Sequence, residues 1–270
     1  MLLQLQDTEE KIFMNRIENT FKNKKAFIPF ITAGYPNLKK TEDYIGEMVS
    51  AGADLIEIGI PFSDPVAEGP VIQKSSKKAL EEGTNLDNIF ELVKNVRKRV
   101  AIPLVFMTYI NPIFKYGYDK FFEQCAKTGI DGIIVPDLPF EEKDEILVYA
   151  KKYDVKIISL IAPTSQERIE EIAKSAEGFL YVVSSMGVTG VREEIKTDLQ
   201  SILKSVKKVT NVPACVGFGI HSPEQANKIS KFSDGVIVGS AIIKLIEKYG
   251  TNADKYIFEY VKSMKEAISN

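Results

Sequence analysis

Two acidic residues, Glu57 and Glu68, lie close together in the segment DLIEIGIPFSDPVAEGP, which covers residues 54–70. Glu57 interrupts an apolar run typical of a buried strand, where an ionised carboxylate costs several kcal/mol unless it is paired or faces a polar cavity. Glu68 lies in the turn that follows. A carboxyl group with a pKa raised toward neutrality transfers protons as a general acid and base, and a second carboxylate that stays ionised holds a developing positive charge. The segment therefore predicts proton-transfer chemistry at the end of one strand.

Each of these acids also has a purely structural interpretation. Glu57 would then be a paired acid in the protein interior, and Glu68 a solvated loop residue. A functional role is favoured for Glu57, because an unpaired carboxylate in an apolar strand is costly and perturbed acids cluster at functional sites. For Glu68 the sequence leaves both interpretations open.

Other residue types restrict the chemistry further. His221 is the only histidine, so a metal site built on several histidines is excluded, and a metal would need a set of carboxylates. For His221 itself we expect a surface or capping role. Schiff-base chemistry needs a desolvated lysine, but the lysines lie mostly in predicted helices. We therefore expect a reaction without metal or cofactor, supported by carboxylates, backbone donors and the electronic structure of the substrate.

Composition indicates a folded cytoplasmic protein. Of the 270 residues 44% are hydrophobic, and the formal net charge is -2. This balance predicts neither a nucleic-acid partner nor a membrane surface. The first residues do not resemble a signal peptide, and no run approaches the ~18 apolar residues of a membrane span. Cys125 and Cys215 are expected to be buried, reduced thiols.

The elements that position these residues follow a regular alternation after an amphipathic helix over residues 2–24. Strands are predicted over 26–32, 55–60, 103–109, 132–136, 155–161, 179–184, 213–218 and 235–238. Helices are predicted over 38–50, 69–82, 86–100, 118–128, 141–153, 165–175, 197–209, 222–232 and 240–268, with a break in the last near Gly250. Several strands are apolar on both faces, as in a parallel sheet. The repeats predict one (β/α)8 TIM barrel over residues 1–270, and a doubly wound open sheet is the alternative.

In such a barrel the functional groups lie at the C-terminal ends of the strands. Gly217 and Gly219 end the seventh strand, and Gly239 and Ser240 follow the eighth. Small residues there let backbone N–H groups and a helix N-terminus face a phosphate, although they also suit tight turns with no ligand. After the sixth strand, Thr189 lies in a glycine-rich loop that is either a lid or an ordinary connection.

The motifs together resemble the tryptophan synthase alpha subunit family over essentially the whole chain. The similarity is carried by FIPFITAGYP (27–36), ADLIEIGIPFSDPVAEGPVIQ (53–73), VPDLPFEE (135–142), SSMGVTGVR (184–192), GFGIHSPEQ (217–225) and VGSAIIK (238–244). The resemblance implies a lyase that cleaves indole-3-glycerol phosphate to indole and glyceraldehyde 3-phosphate by a retro-aldol reaction, without metal or cofactor. It also implies a beta subunit as partner in an α2β2 heterotetramer.

Residue roles follow from the same resemblance. Glu57 matches the acid and base that serves indole C3 and the side-chain hydroxyl, and Glu68 matches the acid that holds the indole N–H. Asp64 matches the surface that faces the beta subunit. The remaining matches to substrate-binding positions are the indole pocket at Phe30, Ile72, Tyr109 and Ile134, the contact residue Tyr181, the lid residue Thr189, and the phosphate cradle at Gly190, Phe218, Gly219, Gly239 and Ser240.

The sequence departs from the family pattern at position 68, where aspartate is most frequent and this chain has the longer glutamate. A displacement of about 1 Å in a catalytic group costs ~100-fold in rate. Ser185 and Met186 also replace a frequent Arg-Ser pair in the loop. Two other functions are therefore considered: an activating partner subunit with weak intrinsic activity, and another phosphate-binding barrel enzyme such as a sugar-phosphate isomerase.

Overall fold

Parallel strands with apolar side chains on both faces form the centre of the protein. The computed structural model describes residues 16–163, 166–184, 199–217 and 219–269. Within these ranges nine strands join in one sheet. They are β1 (Ala26–Thr32), β2 (Ile56–Gly59), β3 (Leu104–Met107), β4 (Gly132–Ile134), β5 (Lys156–Ile157), β6 (Ser159–Ile161), β7 (Leu180–Val183), β8 (Ala214–Gly217) and β9 (Gly235–Val238). Every residue of β1 and β9 is buried, as strands covered on both faces require.

The sheet wraps into a nearly closed barrel through one strand that changes partners. The order is β5-β4-β3-β2-β1-β9-β8-β7-β6, and only Ile158 separates β5 from β6. The N–H of Ile158 donates to the carbonyl of Ile133 at 2.8 Å, while β6 pairs with β7. β5 and β6 therefore act as one interrupted strand, which gives eight strand positions and confirms the predicted (β/α)8 barrel.

Helices follow the strands and cover the outside of the barrel. Their bounds are α1 (Arg16–Thr20), α2 (Leu38–Ser50), α3 (Pro70–Glu81), α4 (Leu86–Arg97), α5 (Ile110–Tyr116), α6 (Tyr118–Thr128), α7 (Asp144–Lys152), α8 (Gln166–Lys174), α9 (Leu199–Val209), α10 (Pro223–Ser230), α11 (Ser240–Tyr249) and α12 (Asp254–Ser269). Two short 3-10 turns precede α7 and α12. The side chains of Asn37, Asn85 and Ser222 accept N-cap hydrogen bonds, which begins these helices where the sequence predicts them.

The predictions differ from the structure at a few elements. The sequence analysis predicts no helix over Ile110–Tyr116, but the structure has α5 there; its Pro112 lies in the first helical turn, where the missing N–H costs nothing. The predicted helix over 2–24 ends earlier than expected: α1 ends at Thr20, and Asn23 has a φ of +58°, which a helix does not continue. Residues 2–15 of this prediction lie outside the described residues. Cys125 and Cys215 are buried free thiols. Among the described helices, none is both long and apolar enough to cross a membrane.

Three aspartates, of which Asp54 and Asp131 are buried and Asp234 is partly exposed, close the N-terminal end of the barrel. Asp54, Asp131 and Asp234 lie just before β2, β4 and β9, and each accepts a backbone N–H from the neighbouring strand, at 2.8, 2.9 and 3.0 Å respectively. Cations neutralise the three carboxylates: Lys24 and Lys265 at Asp54, Arg16 and Arg97 at Asp131, and Lys25 and Lys207 at Asp234. The polar groups at this end of the barrel therefore stabilise the fold. The opposite end is open to a ligand.

Candidate active site

A cavity of about 580 Å³ opens at the C-terminal ends of the strands. Its floor is formed by strand residues, and its walls by the segments that begin α3, α10 and α11. Phe30 and Glu57 both line it, and they are paired in register across β1 and β2. The cavity therefore lies where a barrel of this kind places its functional groups.

Glu57 is a buried acid at the base of this cavity. It is 1% exposed, and its Oε2 atom has no hydrogen-bond partner among the described residues. Burial raises the pKa of Glu57 to about 8, and the charge of Glu68 contributes to the same rise. The carboxyl group therefore holds its proton at neutral pH and is able to donate it.

Glu68 lies just before α3, and its side chain turns into the same cavity. It is only 5% exposed, so the interpretation as a solvated loop residue is wrong. Burial raises the pKa of Glu68 to about 7, while hydrogen bonding from Tyr109 and Ser76 acts to lower it. The backbone carbonyl of Glu68 also accepts a hydrogen bond from the Gln73 side chain at 2.8 Å, which fixes the turn. Near neutral pH this carboxyl group therefore exists in both protonation states.

Tyr109 connects β3 to the loop that carries Glu68. It lies between β3 and α5 and is 1% exposed. Its hydroxyl accepts the backbone N–H of Ala67 at 3.2 Å, and its ring packs on Phe62 with a centroid distance of 5.1 Å. Burial raises the pKa of Tyr109, so the phenol stays protonated and is able to donate to a carboxylate.

The other end of the cavity is formed by turns rich in backbone N–H groups. Gly219 has a φ of +77°, with open space where a Cβ would lie. Ser240 begins α11, a helix of 10 residues, whose first N–H groups have no partner within the helix. The hydroxyl of Tyr260 donates to the carbonyl of His221 at 2.9 Å, which holds the turn after β8 in place. The arrangement presents backbone donors and a helix N-terminus to an anion.

Gly217 leaves space for a neighbouring side chain at the end of β8. A Cβ at Gly217 would lie 2.5 Å from the hydroxyl oxygen of Tyr181. Tyr181 lines the cavity, and burial raises its pKa, with Glu57 as a further contributor. The glycine therefore makes room for Tyr181 beside Glu57.

Most of the residues predicted from the sequence gather around this cavity. Those that line it are Phe30, Glu57, Glu68, Ile72, Tyr181, Gly219, Gly239 and Ser240. Ile134 is buried beneath and pairs with the cavity residue Met107 across β3 and β4. Asp64 is exposed in the loop before Glu68. Thr189, Gly190 and Phe218 lie outside the described residues.

Some lining residues were missed by the sequence analysis. His221 is exposed, as expected, but it also lines the cavity. Lys244 and Tyr260 line it as well, although both lie in predicted helices. For Lys244 a signal existed, since it follows Ser240 by four residues and so shares its helix face. Tyr260 gave no signal, because its place depends on how α12 packs against the turn after β8.

A second cavity of about 520 Å³ lies beside the first and shares Ala67 with it. Its walls are mostly apolar, and none of the described residues that line it is acidic. Proton transfer therefore has its groups in the first cavity.

Comparison with known proteins agrees with this geometry. The family model for the tryptophan synthase alpha chain matches residues 17–269. The alpha chain of Lacticaseibacillus casei is 47% identical over 257 residues, which cover 95% of this chain and 97% of the relative. Among solved structures, tryptophan synthase subunit alpha from Legionella pneumophila superposes with a TM-score of 0.85 at 38% identity, covering 94% of this chain and 98% of that one. A chain of Mycobacterium tuberculosis tryptophan synthase gives 0.86 at 30% identity, with 95% and 99% covered.

These matches extend over nearly the whole barrel, including the strand that carries Glu57 and the turn that carries Glu68. The chain therefore belongs to the tryptophan synthase alpha chain family.

Proposed function

We propose that Glu57 and Glu68 carry out the reaction of this family, the cleavage of indole-3-glycerol phosphate to indole and glyceraldehyde 3-phosphate. As a member of the family, the chain is a carbon–carbon lyase of tryptophan biosynthesis. The observation that supports the assignment of residues is the placement of two buried carboxyl groups, with pKa values raised to about 8 and about 7, in one cavity. The two groups divide the proton transfer and the charge stabilisation between them.

Glu57 moves the proton. In its protonated form it donates to C3 of the indole ring, which breaks the aromaticity of the pyrrole ring and places a positive charge at N1. The resulting Glu57 carboxylate then accepts the proton of the side-chain hydroxyl. The bond between C3 and the side chain breaks, its electron pair neutralises the charge at N1, and the alcohol carbon becomes the aldehyde. Glu57 ends the cycle protonated, and no water or cofactor is consumed.

Glu68 stabilises the charge that develops at N1. An ionised carboxylate that accepts the indole N–H becomes a stronger partner as N1 turns positive, so it binds the transition state better than the ground state. Its pKa near 7 in the empty cavity falls when the N–H arrives, because hydrogen bonding to the charged form favours that form. Tyr109 and Ser76 support the same state from the protein side.

The two ends of the cavity match the two ends of the substrate. Phe30, Ile72 and Tyr181 offer apolar and aromatic surface near the carboxyl groups for the indole ring. Gly219, Gly239 and Ser240 offer backbone donors for the phosphate. Of the predicted cradle, Gly190 and Phe218 remain proposals that rest on the sequence alone, as does the lid residue Thr189.

We further propose that the chain works in the cytoplasm in an α2β2 assembly and passes indole to a beta subunit. The name of the family implies a second chain. Two large apolar side chains are exposed: Val66, two residues after Asp64, is 72% exposed, and Phe114 on α5 is 65% exposed. Large exposed apolar side chains near an active-site entrance suit a protein partner.

Replacement of Glu57 by glutamine tests the mechanism. The amide has nearly the same shape but neither donates to C3 nor accepts the hydroxyl proton, so indole release should fall at least ~100-fold. Glu91→Gln, which changes an exposed acid on α4, is the matched control and should keep parental turnover. A folded Glu57→Gln variant that releases indole at the parental rate would disprove the role of Glu57.

The same assay separates the lyase from an activating subunit with weak activity of its own. Indole release is measured with and without a beta subunit. Turnover by the isolated chain that depends on Glu57 excludes a purely regulatory role.

A further inference from the structure

A single lysine lines the cavity among the described residues. Lys244 lies on α11 and lines the cavity together with Ser240. No other lysine or arginine belongs to the described part of the lining. Backbone N–H groups carry only partial positive charges, so Lys244 is the residue of the described lining that would bring a full positive charge to a bound phosphate.

Helix geometry directs this side chain toward the anion site. Residues four apart lie on the same face, about 5–6 Å between Cβ atoms. Side chains on a helix also tilt toward its N-terminus. From Lys244, which is exposed, we therefore expect the side chain to reach the first turn of α11, where the N–H groups of Ser240 and Ala241 have no helical acceptor.

Charge in the cavity makes such a cation useful. Glu57 and Glu68 line the same cavity, and any negative charge on them repels an incoming phosphate monoester. Glu247 is the nearby carboxylate that could pair with Lys244. Its pKa is lowered mainly by hydrogen bonding from Lys74, and Lys244 makes a smaller contribution. Lys74 and Glu247 form an ion pair, and none of the ion pairs found in the described residues involves Lys244. The Lys244 ammonium therefore remains able to serve a ligand.

We propose that Lys244 binds the phosphate group of the substrate and selects phosphorylated over neutral indole glycerols. The proposal rests on the proposed function, because it takes the phosphate to lie against Gly219, Gly239 and Ser240. Lys244 is a specificity residue that takes no part in proton transfer. Its removal should weaken ground-state and transition-state binding equally, which raises KM and leaves kcat unchanged.

The test measures binding of glycerol 3-phosphate to the full chain by titration calorimetry, and kcat and KM for indole-3-glycerol phosphate. Lys244→Gln should weaken binding of glycerol 3-phosphate and raise KM by about tenfold, the size of a lost hydrogen bond to a charged group. Lys244→Arg, which keeps the charge, should recover most of this loss. Lys248→Gln is the matched control, since Lys248 lies one turn further on the same helix, is exposed like Lys244 and does not line the cavity; it should behave like the parent.

Each outcome decides the proposal. Equal affinities for the parent and Lys244→Gln, with binding intact in both, would overturn the role of Lys244 and leave the proposed function standing. A fall in kcat at unchanged KM would also overturn it. A parent chain that binds no glycerol 3-phosphate and releases no indole would overturn the proposed function together with this inference.

Discussion

The hydroxyl of Tyr109 accepts a hydrogen bond from the backbone N–H of Ala67 at 3.2 Å. Ala67 directly precedes Glu68, so this bond attaches the turn that carries the second acid to the end of β3. The same phenol hydrogen bonds to the carboxyl group of Glu68 and acts to lower its pKa. One hydroxyl thus holds the turn that carries Glu68 and also favours the ionised form of its carboxyl group.

Replacement of Tyr109 by phenylalanine removes both interactions. In the parent, kcat/KM should follow a bell-shaped pH profile with apparent pKa values near 7 and 8 that belong to the Glu57 and Glu68 pair. In Tyr109→Phe the acidic limb should move to higher pH, because Glu68 loses a donor that favours its charged form. We also expect kcat/KM at pH 7 to fall about tenfold, and the free energy of unfolding to fall by about 1 kcal/mol.

Tyr116→Phe is the control for this change. Tyr116 also belongs to the segment after β3, but its hydroxyl donates to the exposed Asp87 at 2.7 Å, away from the cavity. Its pH profile should coincide with that of the parent. An acidic limb that stays in place in Tyr109→Phe would mean that the phenol has no part in the ionisation of Glu68.

The length of the side chain at position 68 is tested by Glu68→Asp. In this chain the longer carboxyl group is buried and reaches Tyr109 and Ser76, so a shorter one is withdrawn from these donors and from the indole nitrogen by about 1 Å. Such a displacement should lower kcat by roughly 10- to 100-fold. Steady-state measurements of indole release give kcat, and single-turnover measurements separate the chemical step from product release. Parental kcat in Glu68→Asp would show that the substrate, and not these donors, sets the position of the carboxylate.

Glu57 should make the stability of the protein depend on pH. Its pKa is about 8 in the folded chain against an ordinary value of 4.5, so the folded state holds an extra proton between these values. The free energy of unfolding therefore falls as the pH rises through this window, and the stabilisation present below pH 4.5 is lost above pH 8. Glu57→Gln has no carboxyl group to ionise, so its free energy of unfolding does not fall in this way. At pH 9 it should be more stable than the parent by about 4 kcal/mol.

Urea unfolding of both proteins at pH 5 and pH 9 measures this difference. Glu91→Gln alters an exposed acid, and its stability should follow that of the parent at both values. A difference between Glu57→Gln and the parent that is the same at pH 5 and pH 9 would show that Glu57 does not titrate in this range.

The barrel was predictable because its signals are local. Strands such as GVIV at 235–238 are apolar on both faces, and glycine and proline residues mark the strand ends. For this reason β1 and β9 have the predicted bounds. The interruption at Ile158 was not predictable. It arises where one strand leaves β4 and joins β7, and a change of partner leaves no trace in the hydrophobic pattern.

The site was predictable in part. The cost of burying Glu57 in an apolar strand identifies it from sequence alone. The burial of Glu68 depends on Tyr109, which is far from it in the chain, and on the packing of α3, which follows it. The neighbouring prolines and glycines suggested an exposed turn instead. Likewise, the periodicity that placed Lys244 in a helix said nothing about the neighbours of its side chain.

The N-terminal end of the barrel should carry stability without activity. Asp131 is 4% exposed and binds Arg16, Arg97 and the backbone N–H of Leu104. Asp131→Asn leaves the largely buried Arg97 without a counter-charge, so the free energy of unfolding should fall by about 3 kcal/mol. Asp119→Asn, which breaks an exposed ion pair with Lys152, should cost less than about 1 kcal/mol. Indole release at 25 °C should match the parent in both variants, because neither residue lines the cavity. Equal losses of stability in urea unfolding would show that Asp131 contributes no more than a surface pair.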